Sequence, residues 1–175
     1  MKPEEFLKKI SRLISDKKTL AVNASPRTAG ICRSIALKIN KNIAGSSVID
    51  LSRFTVLPCL GCLKCAGGEC VRRDDFPYLI SRIKEAEFLI LISPVFFSGL
   101  PAQLKAVIDR CQFYWSNKIK PVKNCSGFFV LAGERDKDYL TCCSKPVKAF
   151  FKTLGIKYEG DIYVRNEKII EKKLQ

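Results

Sequence analysis

The sequence predicts an α/β protein built on a five-stranded parallel sheet with helices on both faces. Strand-like and helix-like segments alternate from end to end of the chain, which is typical of consecutive βα units. Segment 88–93 (FLILIS) is apolar on both faces, as in a central strand of a parallel sheet. At 175 residues the chain has the length of one domain. We therefore expect residues 1–175 to form a single domain.

The first half of the chain contains three predicted helices and two predicted strands. The apolar periodicity predicts an amphipathic helix over 3–15, and strands over 19–23 and 47–51. The helix between these strands repeats isoleucine on one face and is expected to end at Gly45. Its face residues are Ile31, Ile35, Ile39 and Ile43. Asp74 and Asp75 are typical of a helix start, and the helix that follows turns Leu79, Ile80 and Ile83 inward.

The second half continues the alternation after the central strand. Pro101 is predicted to take the first position of a helix, whose buried face carries Leu104, Val107, Ile108 and Cys111. A fourth strand is expected over 126–132 and a last strand over 156–164, weakened by Gly160. Between them lies a helix over 140–154, in which Pro146 predicts a bend or a break.

Five parallel strands of this kind fit the flavodoxin-like order 2-1-3-4-5. In that order, ligands bind beyond the carboxyl ends of the strands, beside the first strand. The most informative loops all follow strand ends, at 24–30, 53–70, 94–100 and 132–138. We expect these loops to surround one ligand site.

Composition excludes some chemistries and favours others. The chain has no histidine, which excludes histidine acid–base catalysis and histidine–metal ligation. Its net charge of +14 favours acidic partners such as nucleotide cofactors, although scattered lysines also fit a solvated surface. We find no signal-peptide pattern and no bilayer-length apolar run, so a cytoplasmic protein is expected. In that compartment the nine cysteines stay reduced, and metal or redox roles outrank disulfides.

The loop after the first strand has the donors that a phosphate group requires. Ser25 and Thr28 offer hydroxyl groups, Arg27 offers a countercharge, and Gly30 leads into a helix N-terminus. The glycine patterns of a dinucleotide fold and of a P-loop are both missing. The loop is either a phosphate site or a plain surface turn.

The loops after the third and fourth strands are predicted to form walls around a planar ring. Pro94, Val95, Phe96 and Phe97 offer apolar surface and backbone amides at a strand end, although the two phenylalanines could instead be core residues. The segment Gly133–Glu134–Arg135 would form the third wall.

The most specific motif is a run of closely spaced cysteines in segment 58–71, which we call the cysteine loop. Cys59, Cys62, Cys65 and Cys70 have the spacing C-x2-C-x2-C-x4-C. This packing favours an iron–sulfur cluster over a zinc ribbon, although zinc and unmetallated thiols remain alternatives. The other cysteines show no ligand spacing and are interpreted as core or helix-face residues: Cys32, Cys111, Cys125, Cys142 and Cys143.

Three segments together resemble the NADPH-dependent FMN reductase family, and within it the iron–sulfur flavoproteins. They are ASPRTAG (24–30), PCLGCLKCAGGECVRRDDF (58–76) and EFLILISPVFFSGLPAQLKAVIDR (87–110). The resemblance implies a flavodoxin-like fold, bound FMN, and assembly as homodimers or homotetramers. It also implies that the four cysteines of the cysteine loop hold a [4Fe–4S] cluster, that Ser25, Arg27 and Thr28 bind phosphate, and that 94–97 contact the flavin edge.

The chain departs from the family pattern in the phosphate loop. Ala24 replaces the usual glycine, and Ile31 and Cys32 replace two polar phosphate donors. Cys32 therefore occupies a cofactor-binding position with a poorer donor, and weakened FMN binding is expected. Ser34 or backbone amides would have to compensate.

These observations predict an FMN-dependent oxidoreductase that takes electrons from NAD(P)H or an acidic ferredoxin-like carrier. Hydride transfer to a flavin requires no protein acid or base, so no catalytic side chain is assigned. One alternative is a cluster-free NAD(P)H-dependent FMN or quinone reductase. Another is a basic, zinc-binding nucleic-acid or protein-interaction module. Membrane association is not expected, and nucleic-acid binding is the less favoured reading.

Overall fold

The computed structural model describes residues 10, 11, 13, 14, 16–134 and 138–165. Within them, five parallel strands form one sheet in the order β2-β1-β3-β4-β5. The strands are β1 (Thr19–Asn23), β2 (Ser46–Asp50), β3 (Phe88–Pro94), β4 (Ser126–Gly133) and β5 (Lys157–Arg165). The predicted flavodoxin-like sheet is therefore confirmed.

Helices connect successive strands on both sides of the sheet. They are α1 (Ile31–Asn42), α2 (Phe76–Lys84), α3 (Ala102–Arg110), α4 (Gln112–Ser116) and α5 (Asp138–Leu154). The core on one face joins α1 and the segment around Ile10 and Ile14 to the sheet. The core on the other face is built from α2, α3 and α5. The alternating residues of β3 enter both cores, which explains why its sequence is apolar throughout.

Several boundaries differ from the sequence predictions for local reasons. Pro101 is the residue before α3 and not its first residue, with an extended ψ of 151°. Helix α5 is continuous from Asp138 to Leu154, so Pro146 does not break it. The short helix α4 was not expected. Most of the helix predicted over 3–15 and the polar tail 166–175 lie outside the described residues.

Gly127 of β4 has no room for a side chain. A Cβ atom there would lie 2.4 Å from Cε2 of Phe151 and 2.9 Å from Cγ2 of Ile156. Phe151 is fully buried and cannot swing away. We expect Gly127→Ala to lower the free energy of unfolding by about 1–3 kcal/mol, the usual range for overpacking. Urea unfolding followed by circular dichroism measures it.

Gly67→Ala is the matched control for that substitution. No atom lies within 4 Å of a Cβ built at Gly67, so its effect should stay within about 0.5 kcal/mol. Equal unfolding midpoints for the two variants would show that the contact with Phe151 is relieved at no cost.

Among the described residues, none of the helices combines the length and the apolar character needed to cross a bilayer.

Candidate functional site

The loop after β1 is held in place by the side chains that begin it. Asn23 is buried and donates through Nδ2 to Asp50 Oδ1 at 2.9 Å, at the end of the neighbouring strand β2. Its Oδ1 accepts from the backbone N–H of Ser25 at 3.1 Å, and the Ser25 Oγ accepts from the N–H of Arg27 at 3.2 Å. The path of the chain up to Arg27 is thus fixed by two successive side-chain turns.

Asp50 links the ends of β1 and β2 through further charges. The Arg33 guanidinium of α1 donates to its Oδ2, and Arg53 lies 3.8 Å from the same oxygen. Because Arg33 is engaged there, Arg27 is the better placed cation for a ligand at the start of α1. The sequence analysis did not identify Asn23 and Asp50 as site residues. They lie at the ends of β1 and β2, and their contact follows only from the knowledge that these two strands are neighbours.

The start of α1 leaves backbone donors available. Gly30 precedes the helix with φ of 141°, a value that favours glycine, and its carbonyl accepts from the N–H of Ser34 at 2.9 Å. The N–H groups of the first turn have no partner inside the helix. Such a turn can bind an anion.

A cavity of about 290 Å³ lies at the carboxyl ends of the sheet, and we call it the sheet-end cavity. Its walls come from the loops after β1, β3 and β4, together with α5 and β5. The lining residues are Arg27, Ile31, Pro94, Val95, Phe96, Ser98, Ala132, Gly133, Glu134, Tyr139 and Tyr163. A volume near 300 Å³ is at the lower end for small-molecule sites.

Six of the predicted site residues thus meet around one space: Arg27, Pro94, Val95, Phe96, Gly133 and Glu134. The Arg27 guanidinium carbon lies 6.0 Å from the centroid of the Phe96 ring, so one cation bridges two of the loops. A Cβ at Gly133 would lie 2.4 Å from Oη of Tyr163, which explains glycine at this wall. Tyr139 and Tyr163 were not predicted, because they belong to elements far along the chain.

The remaining predicted residues lie elsewhere. Thr28 and Gly30 line a separate open groove beside α1, with Arg33, Lys38 and Lys41. The Cys32 side chain is buried in the core at 2% exposure, so only its backbone is near a ligand position. Ser25 is also buried, and Arg135 lies outside the described residues.

Phe97 does not line the sheet-end cavity. It is fully exposed at the tip of a tight turn, in which Phe96 and Gly99 exchange two backbone hydrogen bonds of 2.9 Å. Phe97 and Ser98 both have positive φ, at 46° and 62°. Positive φ at two successive residues other than glycine is strained, and such strain concentrates at functional sites.

The cysteine loop is closed at its neck by carboxylates that follow it. Asp75 Oδ2 accepts from the N–H of Thr55 at 2.7 Å, and the Thr55 carbonyl accepts from the N–H of Asp75 at 3.0 Å. Asp74 Oδ2 accepts from the N–H of Leu57 at 2.9 Å. The ends of the loop are therefore held together whatever its tip binds.

The four cysteines of the cysteine loop face one small space, which we call the cysteine cavity. Its lining residues are Cys59, Leu60, Gly61, Cys62, Leu63, Cys65, Cys70, Val71, Arg72, Arg110 and Gln112. Cys59 and Cys62 are exposed, and Cys65 and Cys70 are half-buried. The N–H of Gly61 donates to Cys59 Sγ at 3.4 Å, and Asn117 Nδ2 donates to the Cys65 carbonyl at 3.0 Å.

A buried ion pair lies behind the cysteine cavity. Arg110 Nη1 donates to Asp74 Oδ2 at 2.5 Å and to the Leu57 carbonyl at 3.1 Å, and the two side chains are 1% and 0% exposed. Burial by itself raises the pKa of the Asp74 carboxyl. The hydrogen bonds from Arg110, Leu57 and Phe76 outweigh it and hold that pKa below its ordinary value of 3.8.

The other five cysteines are core or helix-face residues, as the sequence predicted. Cys32, Cys111, Cys125 and Cys143 are buried, and Cys142 is exposed on α5. Burial raises the pKa of Cys32 to about 12 and that of Cys125 to about 11. These thiols stay protonated and unreactive at neutral pH.

In the part of the chain that the structure describes, no group of three or more His, Cys, Asp or Glu side chains is placed to hold one metal ion.

The fold is that of the flavodoxin-like class, and the sheet-end cavity lies at the topological switch point of the sheet, where proteins of this class bind ligands. A family model described as NADPH-dependent FMN reductase matches residues 17–164. The chain belongs to this family, and its curated relatives place it in the iron–sulfur flavoprotein branch.

Two of these relatives show the extent of the likeness. An iron–sulfur flavoprotein of Methanocaldococcus jannaschii is 35% identical over 98 residues, which are 53% of this chain and 51% of the relative. One from Archaeoglobus fulgidus is 34% identical over 122 residues, covering 66% and 55%. The chain thus spans about half the length of the curated relatives it matches.

Solved structures show the same fold at low identity. The Trp repressor binding protein of Bacillus subtilis superposes with a TM-score of 0.60 at 18% identity, covering 90% of this chain and 94% of that one. An FMN-dependent NADH-azoreductase of Bacillus anthracis, solved in complex with FMN, gives 0.56 at 18% identity, covering 87% and 89%. At this identity the likeness concerns the fold alone.

Proposed function

We propose that this chain is an FMN-dependent oxidoreductase with an iron–sulfur cluster on its cysteine loop. Electrons come from NAD(P)H or a ferredoxin-like donor. The observation that carries the proposal is the sheet-end cavity, where three loops predicted to bind one flavin meet at the carboxyl ends of β1, β3 and β4. Membership of the FMN reductase family supports the choice of FMN.

The residues of the sheet-end cavity fit a flavin mononucleotide. Arg27 and the free N–H groups at the start of α1 supply donors for a phosphate group. Pro94, Val95 and Phe96 supply an apolar wall, and Gly133 leaves room for the Tyr163 side chain beside it. Bound FMN supplies two-electron exchange with a nicotinamide and one-electron exchange with a metal centre. The chain's residues orient the ring and exclude water from it.

The residues of the cysteine cavity fit an iron–sulfur cluster in donor chemistry. Four thiols face it, and the N–H of Gly61 already donates to one of them. Buried nitrogen atoms of Arg72 and Arg110, which line it, have no partner among the described residues, as expected where an anionic acceptor binds. The free space is only about 30 Å³, so cluster binding has to displace the exposed part of the loop. The cluster supplies one-electron transfer.

Partners follow from charge and from exposed apolar surface. The net charge of +14 suits an acidic electron carrier. Leu63 of the cysteine loop and Trp115 of α4 are exposed and line an open, mostly apolar groove of about 610 Å³. Such a surface supports assembly into homodimers or homotetramers. Light scattering of the purified protein measures this, and a monomer would contradict it.

The visible spectrum of anaerobically purified protein, with iron and sulfide analysis, tests the proposal. Flavin bands with a broad iron–sulfur shoulder and matching iron are expected. A colourless protein that fails to bind added FMN would overturn it. Flavin without iron would favour the alternative of a cluster-free NAD(P)H-dependent FMN or quinone reductase. Family membership disfavours the nucleic-acid-binding module.

Arg27 is expected to bind the phosphate group of FMN. Replacing it with glutamine removes a charge-assisted hydrogen bond, which typically contributes about 1.5–3 kcal/mol. The dissociation constant of FMN should therefore rise by roughly 10- to 150-fold, measured by fluorescence titration of the apoprotein.

Riboflavin, which lacks the phosphate group, separates this role from a contact with the ring. Its affinity should be the same in the wild type and in Arg27→Gln. Arg53→Gln removes the same charge at a site outside the sheet-end cavity and should leave FMN binding unchanged. Equal losses for FMN and riboflavin would show that Arg27 acts on the ring, through its contact with Phe96.

A further inference from the structure

Arg110 is a buried arginine whose guanidinium group is only partly used by the protein. Its side chain is 1% exposed. Nη1 makes both observed hydrogen bonds, to Asp74 and to the Leu57 carbonyl. Nε and Nη2 are buried and have no hydrogen-bond partner among the described residues. Because a buried donor without an acceptor costs free energy, this arrangement indicates an acceptor that the protein itself does not supply.

The position of Arg110 shows where that acceptor lies. Arg110 and all four cysteines of the cysteine loop line the cysteine cavity. The guanidinium carbon also lies 4.8 Å from the centroid of the Phe76 ring, which cannot accept a strong hydrogen bond. The cysteine cavity is therefore the place where a sulfur ligand could meet the free N–H groups.

We infer that Arg110 donates hydrogen bonds from Nε and Nη2 to the iron–sulfur cluster of the cysteine loop, and that Asp74 holds it in that orientation. The inference rests on the proposed function. Cluster sulfides and cysteine thiolates are anionic acceptors. Arginine suits the role because its planar group keeps its charge when buried and presents several donors in fixed directions.

The inferred bonds stabilise the reduced cluster more than the oxidised one. The reduced cluster carries one more negative charge, so donors to its sulfur atoms raise the reduction potential. A purely structural role, in which Arg110 only anchors Leu57 and Asp74 through Nη1, predicts no such effect. The reduction potential therefore separates the two roles.

The decisive experiment compares Arg110→Lys with Arg73→Lys in the anaerobically purified 175-residue chain. Lysine keeps the charge and can still pair with Asp74, but it has no Nε and Nη2. Arg73 is also near the cysteine loop, but its side chain is 82% exposed and it pairs only with Glu69 among the ion pairs seen here. We expect Arg110→Lys to lower the midpoint potential of the cluster, while Arg73→Lys leaves it unchanged. A tenfold weaker preference for the reduced state corresponds to about 59 mV.

Two outcomes of this comparison overturn the inference, and they can be told apart. A wild type without iron defeats the proposed function, and the inference falls with it. Iron-loaded variants that share the wild-type potential defeat the inference alone.

Pulsed EPR covers the case in which Arg110→Lys does not fold. Protein labelled with ¹⁵N-arginine and carrying Arg72→Lys should show ¹⁵N coupling to the reduced cluster, because Arg110 remains the labelled arginine in the cysteine cavity. A spectrum without ¹⁵N coupling would defeat the inference without any change at Arg110.

Discussion

Protein with Cys62→Ser is expected to lose its iron and the broad iron–sulfur absorbance, and to keep its FMN. A serine hydroxyl is not a soft thiolate ligand, so the substitution removes one of the four proposed cluster ligands. Changes to residues that only support a metal ligand already cost about 10–100-fold in affinity, so loss of a ligand should exceed this. FMN is retained because Cys62 does not line the sheet-end cavity. Iron and flavin analyses measure both effects.

Cys142→Ser is the matched control, because Cys142 is also exposed but lies on α5. Its thiol donates to the carbonyls of Ser98 and Tyr139, both at 3.2 Å, and a serine hydroxyl can do the same. This variant should keep its iron. If Cys62→Ser kept full iron, or Cys142→Ser lost it, the ligand assignment would be wrong.

The sheet was predictable from sequence because its signals are local. Strand β1 has the predicted boundaries, β2 is shifted by one residue toward the N-terminus at both ends, and β3 ends one residue later than predicted. The apolar run of β3 requires cover on both faces, and this places it at the centre of the sheet. The alternation of strands and helices predicted a doubly wound parallel sheet, and the order 2-1-3-4-5 was predicted because five strands fit the flavodoxin-like arrangement.

The boundaries that were missed depend on tertiary contacts. Pro146 lies inside α5, where the helix packs on the sheet through neighbours such as Val147 and Phe151. That burial outweighs the local preference of proline to end a helix. The short helix α4 has no buried residue, so its sequence lacks the apolar periodicity that predicts a helix.

The sheet-end cavity was predicted in part because parallel strands bring their carboxyl ends together. This rule places Arg27, Phe96 and Gly133 around one space without further information. It could not show that Phe97 points into solvent, because that depends on two positive φ angles in one turn. Nor could it pair Asp74 with Arg110, which are 36 residues apart.

The Asp74–Arg110 pair yields the largest stability effect that we expect. Asp74→Asn removes the charge that compensates Arg110 and weakens the bond to the N–H of Leu57. A buried charge that loses its partner typically costs about 3–5 kcal/mol, which for a chain of this size lowers the melting temperature by roughly 6–20 °C. Glu69→Gln, which breaks the exposed pair with Arg73, should cost less than about 1 kcal/mol.

The same pair predicts how stability depends on pH. Because the pKa of the Asp74 carboxyl lies below its ordinary value of 3.8, its contribution is complete above that value and is lost as pH falls through the folded-state pKa. The stability gap between the reference protein and Asp74→Asn should therefore be full near about pH 7 and shrink below about pH 4. Urea unfolding in a Cys62→Ser background measures the gap without interference from an acid-labile cluster. A gap that stays constant down to about pH 2, or one no larger than that of Glu69→Gln, would show that the carboxylate does not stabilise Arg110.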